Sequence, residues 1–224
     1  MSLNLLSIAT QALRMIGVID GQETPDADVG ADILIRANTM KRGWFGMLIG
    51  PRLSPFQVSG ATAQAETGGE YLVGGTSAMT LSAPANPRPG ARFGVVDAGA
   101  GFASHNCTLA GNGVLIGGAA SVTLSSDGAM ARYWFRPDVA SWTLEADWAS
   151  LNAALEFPDV LIAHMPAMLA VEAAAEFGQD IAPEIALAAL EGRQALARAY
   201  GRRGPFGLDP VMGLGAPQAA GPGR

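Results

Sequence analysis

Apolar residues recur with a helical period along the first fifty positions. Leu3, Leu6, Ala9, Leu13 and Ile16 follow at three- and four-residue steps, and Leu5, Ile8 and Ala12 widen the stripe. This predicts an amphipathic helix over 3–17, capped by Ser2 and ended by Gly17. A connector covers 18–23. Thr24-Pro25-Asp26 opens a second helix, with Thr24 as N-cap, Pro25 at the first helical position, and Asp26 and Asp28 at the positive end of the dipole. Val29, Ile33, Arg36, Ala37, Met40, Trp44 and Met47 continue at helical spacing. Lys41 and Arg42 fall in the later turns, and Gly50-Pro51 stops the helix.

The pattern changes after Arg52. Residues 53–147 are rich in Gly, Ser, Thr and Ala, with short β-prone runs. Candidate strands are Tyr71–Val73, Ala78–Leu81, Arg92–Asp97, Asn106–Ala110, Val114–Ile116, Ser121–Leu124, Ala131–Phe135 and Ser141–Glu145. Turn signals separate them, among them Pro87-Arg88-Pro89-Gly90, Gly111-Asn112-Gly113 and Ser126-Asp127-Gly128. Spacing near ten residues predicts a small antiparallel sandwich or barrel.

Helical periodicity returns near 148. Pro158 suits the first turn of a helix running to about Phe177, with Val160, Ala163, Ala167, Ala170, Val171 and Ala174 on its packing face. Pro166 falls inside it and should kink or break it, because its missing N–H removes a hydrogen bond. Gly178 ends this stretch. Ala182-Pro183-Glu184 starts a last helix through Ile185, Ala189, Leu196 and Tyr200, closed by Gly201. Residues 201–224 are rich in Gly and Pro, which predicts an extended tail. Its scattered apolar residues suit either anchoring in a partner's groove or an end with no role.

The predicted fold is therefore α+β. An antiparallel bundle of about four helices (1–52 and 148–200) carries an inserted small antiparallel β-sandwich or barrel (53–147) and an extended C-terminal tail (201–224). Insertion requires the ends of the β segment to lie close in space.

Composition narrows the function. Of 224 residues, 49% are hydrophobic and only 15% charged. That is enough apolar material for a core, and it implies a surface that is weakly polar or partly covered by other subunits. The net charge of −6 lacks the basic footprint of tight nucleic-acid binding. Lys41 is the only lysine among fourteen basic residues, an arginine bias that fits interface ion pairs or a GC-rich genome. Cys107 is the only cysteine, so neither an intrachain disulfide nor a thiolate metal cage can form within one chain. The start does not read as a signal peptide, and no apolar run approaches the ~18 residues of a membrane span. The expectation is synthesis in the cytoplasm and no membrane partner.

Candidate chemistry is thin. Asp97, Ser104 and His105 sketch a triad, but nothing near them resembles a nucleophile elbow. His164, beside Met165, reads as a packed or interface histidine. Gly99-Ala100-Gly101 and Gly111-Asn112-Gly113 lack the following residues of a phosphate loop and read as turns needing positive φ. Glu172 and Glu176 share a helix face without the other ligands of a metal site. Met15, Met40, Met47, Met165 and Met168 read as core or interface filler. The sequence thus predicts no enzyme, cofactor or metal.

The run Ser7-Ile8-Ala9-Thr10-Gln11-Ala12-Leu13-Arg14-Met15-Ile16-Gly17 resembles the first helix of head-to-tail adaptor proteins of tailed bacteriophages, notably the tail accessory factor type. Thr24-Pro25-Asp26 and Trp44-Phe45 are similar to that family's second helix. Phe157 through Leu161, Met165, Ala167-Met168-Leu169-Ala170 and Glu176-Phe177-Gly178 resemble its third, and Pro183-Glu184 to Tyr200 its last. The resemblance covers about 3–52 and 155–200. The insert, with Met79-Thr80-Leu81-Ser82-Ala83-Pro84 and Arg92-Phe93-Gly94-Val95-Val96-Asp97, looks like small β modules of phage tail-fibre and decoration proteins.

The resemblance implies a virion protein at the head–tail interface. It implies a homo-oligomeric ring, commonly a dodecamer, docked beneath the portal protein. Such a ring receives the tail, stopper or nozzle protein and lets DNA pass through its channel without sequence-specific binding. It places the tail along the portal, with Arg202, Arg203, Phe206, Leu208 and Met212 as portal-binding candidates. Two other readings stand beside it: a decoration or tail-fibre-associated protein whose β insert carries the function, and a virion hydrolase using Glu172 or His105.

Overall fold

A computed structural model describes residues 4–74 and 77–201. The chain is α+β. Helices α1 (Leu5–Met15) and α2 (Ala27–Met47) precede the strands, and α3 (Asp159–Ile162), α4 (Met165–Ala173) and α5 (Pro183–Tyr200) follow them. The cap of α1 is Asn4, whose Oδ1 accepts the Ser7 N–H at 3.1 Å; the expected cap, Ser2, lies outside the described residues. Asn4 is held extended by a β-bridge to Ala154. The first N–H groups of α1 donate to the Ala153 and Leu151 carbonyls, so none of this turn is left unpaired. Helix α2 is capped by Asp26 rather than Thr24, through Val29 N–H to Oδ1 at 2.9 Å. Pro166 breaks the third helical stretch as expected: α3 ends at Ile162, and Pro166 sits in the first turn of α4, where its missing N–H costs nothing.

Ten strands occupy the chain between Ser54 and Leu144 among the described residues: β1 (Ser54–Val58), β2 (Thr62–Gln64), β3 (Gly69–Val73), β4 (Met79–Ser82), β5 (Arg92–Asp97), β6 (Cys107–Ala110), β7 (Leu115–Ile116), β8 (Ser121–Leu124), β9 (Met130–Arg136) and β10 (Ser141–Leu144). They form two sheets, in the orders β1-β3-β5-β9-β10-β7 and β2-β4-β6-β8. Antiparallel pairing throughout, as expected from the turn spacing, is corrected here. β1, β3 and β5 are mutually parallel, as are β2, β4 and β6. From β1 to β9 consecutive strands alternate between the sheets, and β1 to β6 wind as three turns of a flattened coil. Parallel strands need a crossover, and here the crossover is a strand of the opposite sheet. Only β8 and β9 run back, antiparallel to β6 and β5, and β10 pairs antiparallel with β9.

Alternation along β3, β4 and β6 turns Tyr71, Val73, Met79, Leu81, Cys107 and Leu109 inward, and all are buried. At the centre the Phe93 ring stacks on Tyr133 at 5.6 Å and meets the edge of Trp142 at 4.9 Å. On the outer face of the second sheet, Thr62, Thr80, Thr108 and Thr123 lie in register across all four strands. The edge strand β1 carries Pro55. Ser54 N–H donates to Gly68, so alternation turns the Pro55 position away from β3, where a missing donor blunts the free edge.

The helices share a second core, and one strand residue belongs to it. Trp134 on β9 is fully buried and points away from the coil interior. Its ring meets Phe45 of α2 at 5.5 Å, Phe157 at 5.4 Å and Tyr200 of α5 at 5.1 Å. Backbone closes on backbone beside it. Gly50 N–H donates to Tyr200 O at 3.0 Å, and a Cβ on Gly90 (φ +73°) would come within 2.4 Å of that oxygen. Neither glycine can be replaced without opening this contact.

Trp134→Ala should therefore destabilise by about 3–5 kcal/mol. The indole Nε1 has no hydrogen-bond partner among the described residues. Trp134→Phe, which also removes an unpaired donor, should cost much less. Urea unfolding followed by circular dichroism checks both.

Candidate functional site

The site grows from the joint between α2 and the outer face of the larger sheet. Arg92 opens β5 and projects to this side, in the same row as Trp134. Its guanidinium donates through Nε and Nη2 to Glu145 at 2.5 and 2.7 Å, and through Nη1 to the carbonyls of Phe45 at 2.6 Å and Pro51 at 3.3 Å. Both side chains of the pair are 8% exposed. The rigid arginine fork suits this position, because one group binds β5, the end of β10 and both ends of the α2–β1 link. Two positions along, Gly94 leaves the next row flat. Arg132 reaches across it to Glu70, Nε to Oε1 at 2.7 Å, and a Cβ on Gly94 would press on the Arg132 side chain at 3.1 Å.

Lys41 lies on the buried side of α2, 1% exposed. Its Nζ donates to Ala146 O at 2.6 Å, sits 4.4 Å over the Trp148 ring, and approaches Glu156 Oε2 at 2.6 Å. The Lys41–Glu156 contact is thus a largely buried ion pair at hydrogen-bond distance. Asn38 closes the same seam, exchanging two hydrogen bonds with the Trp148 backbone. Arg42, on the outer side, pairs with Asp147. The two groups shift apart: hydrogen bonding and charge raise the guanidinium pKa and hold the Asp147 carboxyl below its ordinary value.

Between these pairs lies an open groove of about 730 Å3. Five cations line it (Lys41, Arg42, Arg52, Arg92, Arg132) against three carboxylates (Glu70, Glu145, Asp147). Arg52 is exposed and has no ion-pair partner among the described residues. The groove offers charge and apolar surface for binding, and no nucleophile–base arrangement.

The sequence-predicted chemical residues do not gather there. Both oxygens of Asp97 are taken by backbone: Gly101 N–H at 3.0 Å on Oδ1, and Phe102 and Gly128 N–H at 3.1 and 3.0 Å on Oδ2. Burial alone would raise this carboxyl, but these donors with Gly99 outweigh it and hold its pKa below the ordinary value. Asp97 is thus the anchor of the 98–105 loop rather than the orienting member of a triad. Ser104 and His105 both donate their backbone N–H to Gly101 O as part of that loop. His164 packs its Cβ against Gly192 of α5. Glu176 pairs with Arg36 of α2. Cys107 is buried, and burial with the nearby Asp97 charge pushes its thiol up to about 11. Among the described residues no group of three or more His, Cys, Asp or Glu side chains could hold a metal. Met40, Met165 and Met168 are buried, whereas Met47 is 83% exposed. The portal-binding candidates Arg202, Arg203, Phe206, Leu208 and Met212 lie outside the described residues.

Sequence reasoning missed the Arg92–Glu145 pair and the burial of Lys41. A signal existed for Lys41: it continues the Ile33, Ala37, Trp44 stripe of α2 at helical spacing, on the side that packs. Arg92 carried no comparable signal, since its partner is 53 residues away.

Glu145→Ala should destabilise by about 3–5 kcal/mol, because it leaves the Arg92 charge buried and unpaired. Arg42→Ala on the exposed pair should leave stability nearly unchanged by the same urea unfolding measurement. Asp97→Asn has a pH signature. A carboxyl with a depressed folded pKa contributes stability that is full above its unfolded pKa of about 4 and is lost as pH falls through the folded value. The stability gap between wild type and Asp97→Asn should be constant above about pH 5 and close below about pH 4, as read by denaturant titration at several pH values.

No protein-family model and no curated protein matches the chain.

Proposed function

We propose that this chain is the subunit of a head-to-tail adaptor ring of a tailed bacteriophage. In this reading it docks on the portal, extends the DNA channel, and receives the tail, stopper or nozzle. The observation that carries the reading is the order and packing of the helices. Two helices, a long insertion and then the remaining helices meet in one core through the residues of the resemblance: Leu13, Trp44, Phe45, Phe157, Leu161, Met168 and Tyr200. The insertion leaves after α2 and returns before α3, and its two ends are clamped together by Arg92, Glu145 and Lys41. The ring, its dodecameric count and its place in the virion belong to this proposal, as do the portal contacts of Arg202, Arg203, Phe206, Leu208 and Met212. No helix among the described residues is long and apolar enough to cross a membrane. A net acidic chain suits a channel that DNA slides through.

One observation favours a second reading, in which the β unit is a binding module of a decoration or tail-fibre-associated protein. The outer face of the smaller sheet is rich in hydroxyls: the threonine row at 62, 80, 108 and 123 is flanked by Gln64, Ser82, Ala110 and Ser121. Deleting the insert is a poor way to separate the readings, because it removes Trp134 from the helical core. Thr80→Lys with Thr108→Lys leaves the core intact and spoils the face.

Light scattering of the purified chain, alone and mixed with portal rings, tests the first reading. The expected result is one copy per portal subunit, lost when the chain is truncated after Gly201 and retained by the double Thr→Lys variant. A stable trimer indifferent to the portal moves the assignment to the second reading.

A further inference from the structure

We infer that copies of this chain contact one another head to tail, the acidic α1–α2 corner of one docking into the α2–sheet groove of the next. The inference rests on the reading of the protein as an oligomeric subunit and names the surfaces that join.

The corner is unusual in charge. Between Arg14 and Arg36 the chain carries Asp20, Glu23, Asp26, Asp28 and Asp32 and no lysine or arginine. All five carboxylates are exposed, and none has an ion-pair partner among the described residues. The corner is also ordered. Arg14 donates to Glu23 O at 2.8 Å, Glu23 Oε2 accepts Asp20 N–H at 3.1 Å, and Asp26 caps α2. Its shape is therefore set before any partner arrives, which lowers the cost of ordering on contact.

The groove lies towards the opposite end of α2, a helix of 21 residues and hence about 30 Å long. Arg52 supplies a cation without an ion-pair partner among the described residues, and the Arg42 side chain, although paired, is 66% exposed. Met130 and Leu144, at 59% and 43% exposure, give the groove an apolar floor that no described element of the chain covers. Ile19 and Pro25, both partly exposed at the corner, match it in character.

Helix α2 thus presents opposite charge excess near its two ends. A contact of groove with groove would set Arg52 against Arg52, and one of corner with corner would set five carboxylates against five. Both self-complementary arrangements are opposed by like charge. The corner-to-groove contact is favoured, and such a heterologous contact builds a ring when its rotation closes.

Sedimentation velocity of the full chain tests this, with Arg52→Glu as one variant and Glu23→Lys with Asp32→Lys as another. All three positions are exposed, and circular dichroism checks that each variant folds. Each variant alone should self-associate about tenfold more weakly than wild type, and about 0.5 M salt should weaken wild type likewise. An equimolar mixture of the two variants should regain association, because each reversed surface then meets a reversed partner. Variants that associate like wild type, a mixture that does not recover, or a wild-type chain that stays monomeric at low salt and high concentration would each overturn the inference. Portal co-sedimentation of the same proteins separates the two claims. Portal binding without corner–groove coupling removes this inference alone, whereas self-association with no portal binding removes the adaptor reading.

Discussion

A single guanidinium holds the two halves of this protein in register. Arg92 makes four hydrogen bonds, two to Glu145 and one each to the Phe45 and Pro51 carbonyls. Those partners are the last turn of α2, the link out of it, and the segment that returns from β10. The chain leaves the helices there and comes back there. Desolvating such a pair is costly, and the cost is recovered only when its polar groups find partners; here the guanidinium makes four hydrogen bonds from its five N–H groups. That requirement makes the pair selective: a slip of β5 or β10 by one residue would turn Arg92 or Glu145 to the wrong face.

Trp134 adds the apolar part of the same joint. It sits on the strand beside Arg92 and reaches into the helical core, so the β unit is not a module hung on a loop. Its aromatic contacts span α2, the approach to α3, and α5. The helices are in turn incomplete without it. A groove that is half helix and half sheet, as the one beside Arg132 and Met130 is, depends on that rigidity for its shape.

Much of the helical part was legible in the sequence because helix signals are local. The stripe of α1, the break at Pro166, and the Ala182-Pro183 start of α5 each depend on residues within a few positions. Cap identity was less legible. Thr24 and Asp26 are both good caps, and Asn4 takes the role at α1 because a bridge to Ala154 fixes its backbone, which is a tertiary fact. Six candidate strands fell within a residue or so of their places and two, Arg92–Asp97 and Ser121–Leu124, coincided with them. Their direction did not follow. A strand of five residues and a turn look alike whether the next strand pairs back or crosses to another sheet. β1 and β2 escaped notice because edge strands need neither alternation nor bulk, and β1 contains a proline. The groove was hidden for a different reason, since its walls come from positions up to about a hundred residues apart.

The burial of Lys41 reaches beyond packing. It is the only lysine of the chain, and its ammonium is enclosed by Ala146, Glu156 and Trp148. The folded surface therefore carries no side-chain amine. Reagents that acylate amines cannot tether one copy to another through lysine, and any modification at that position reports that the seam between α2 and Trp148 has opened. One residue thus serves as a chemical witness to the integrity of the joint.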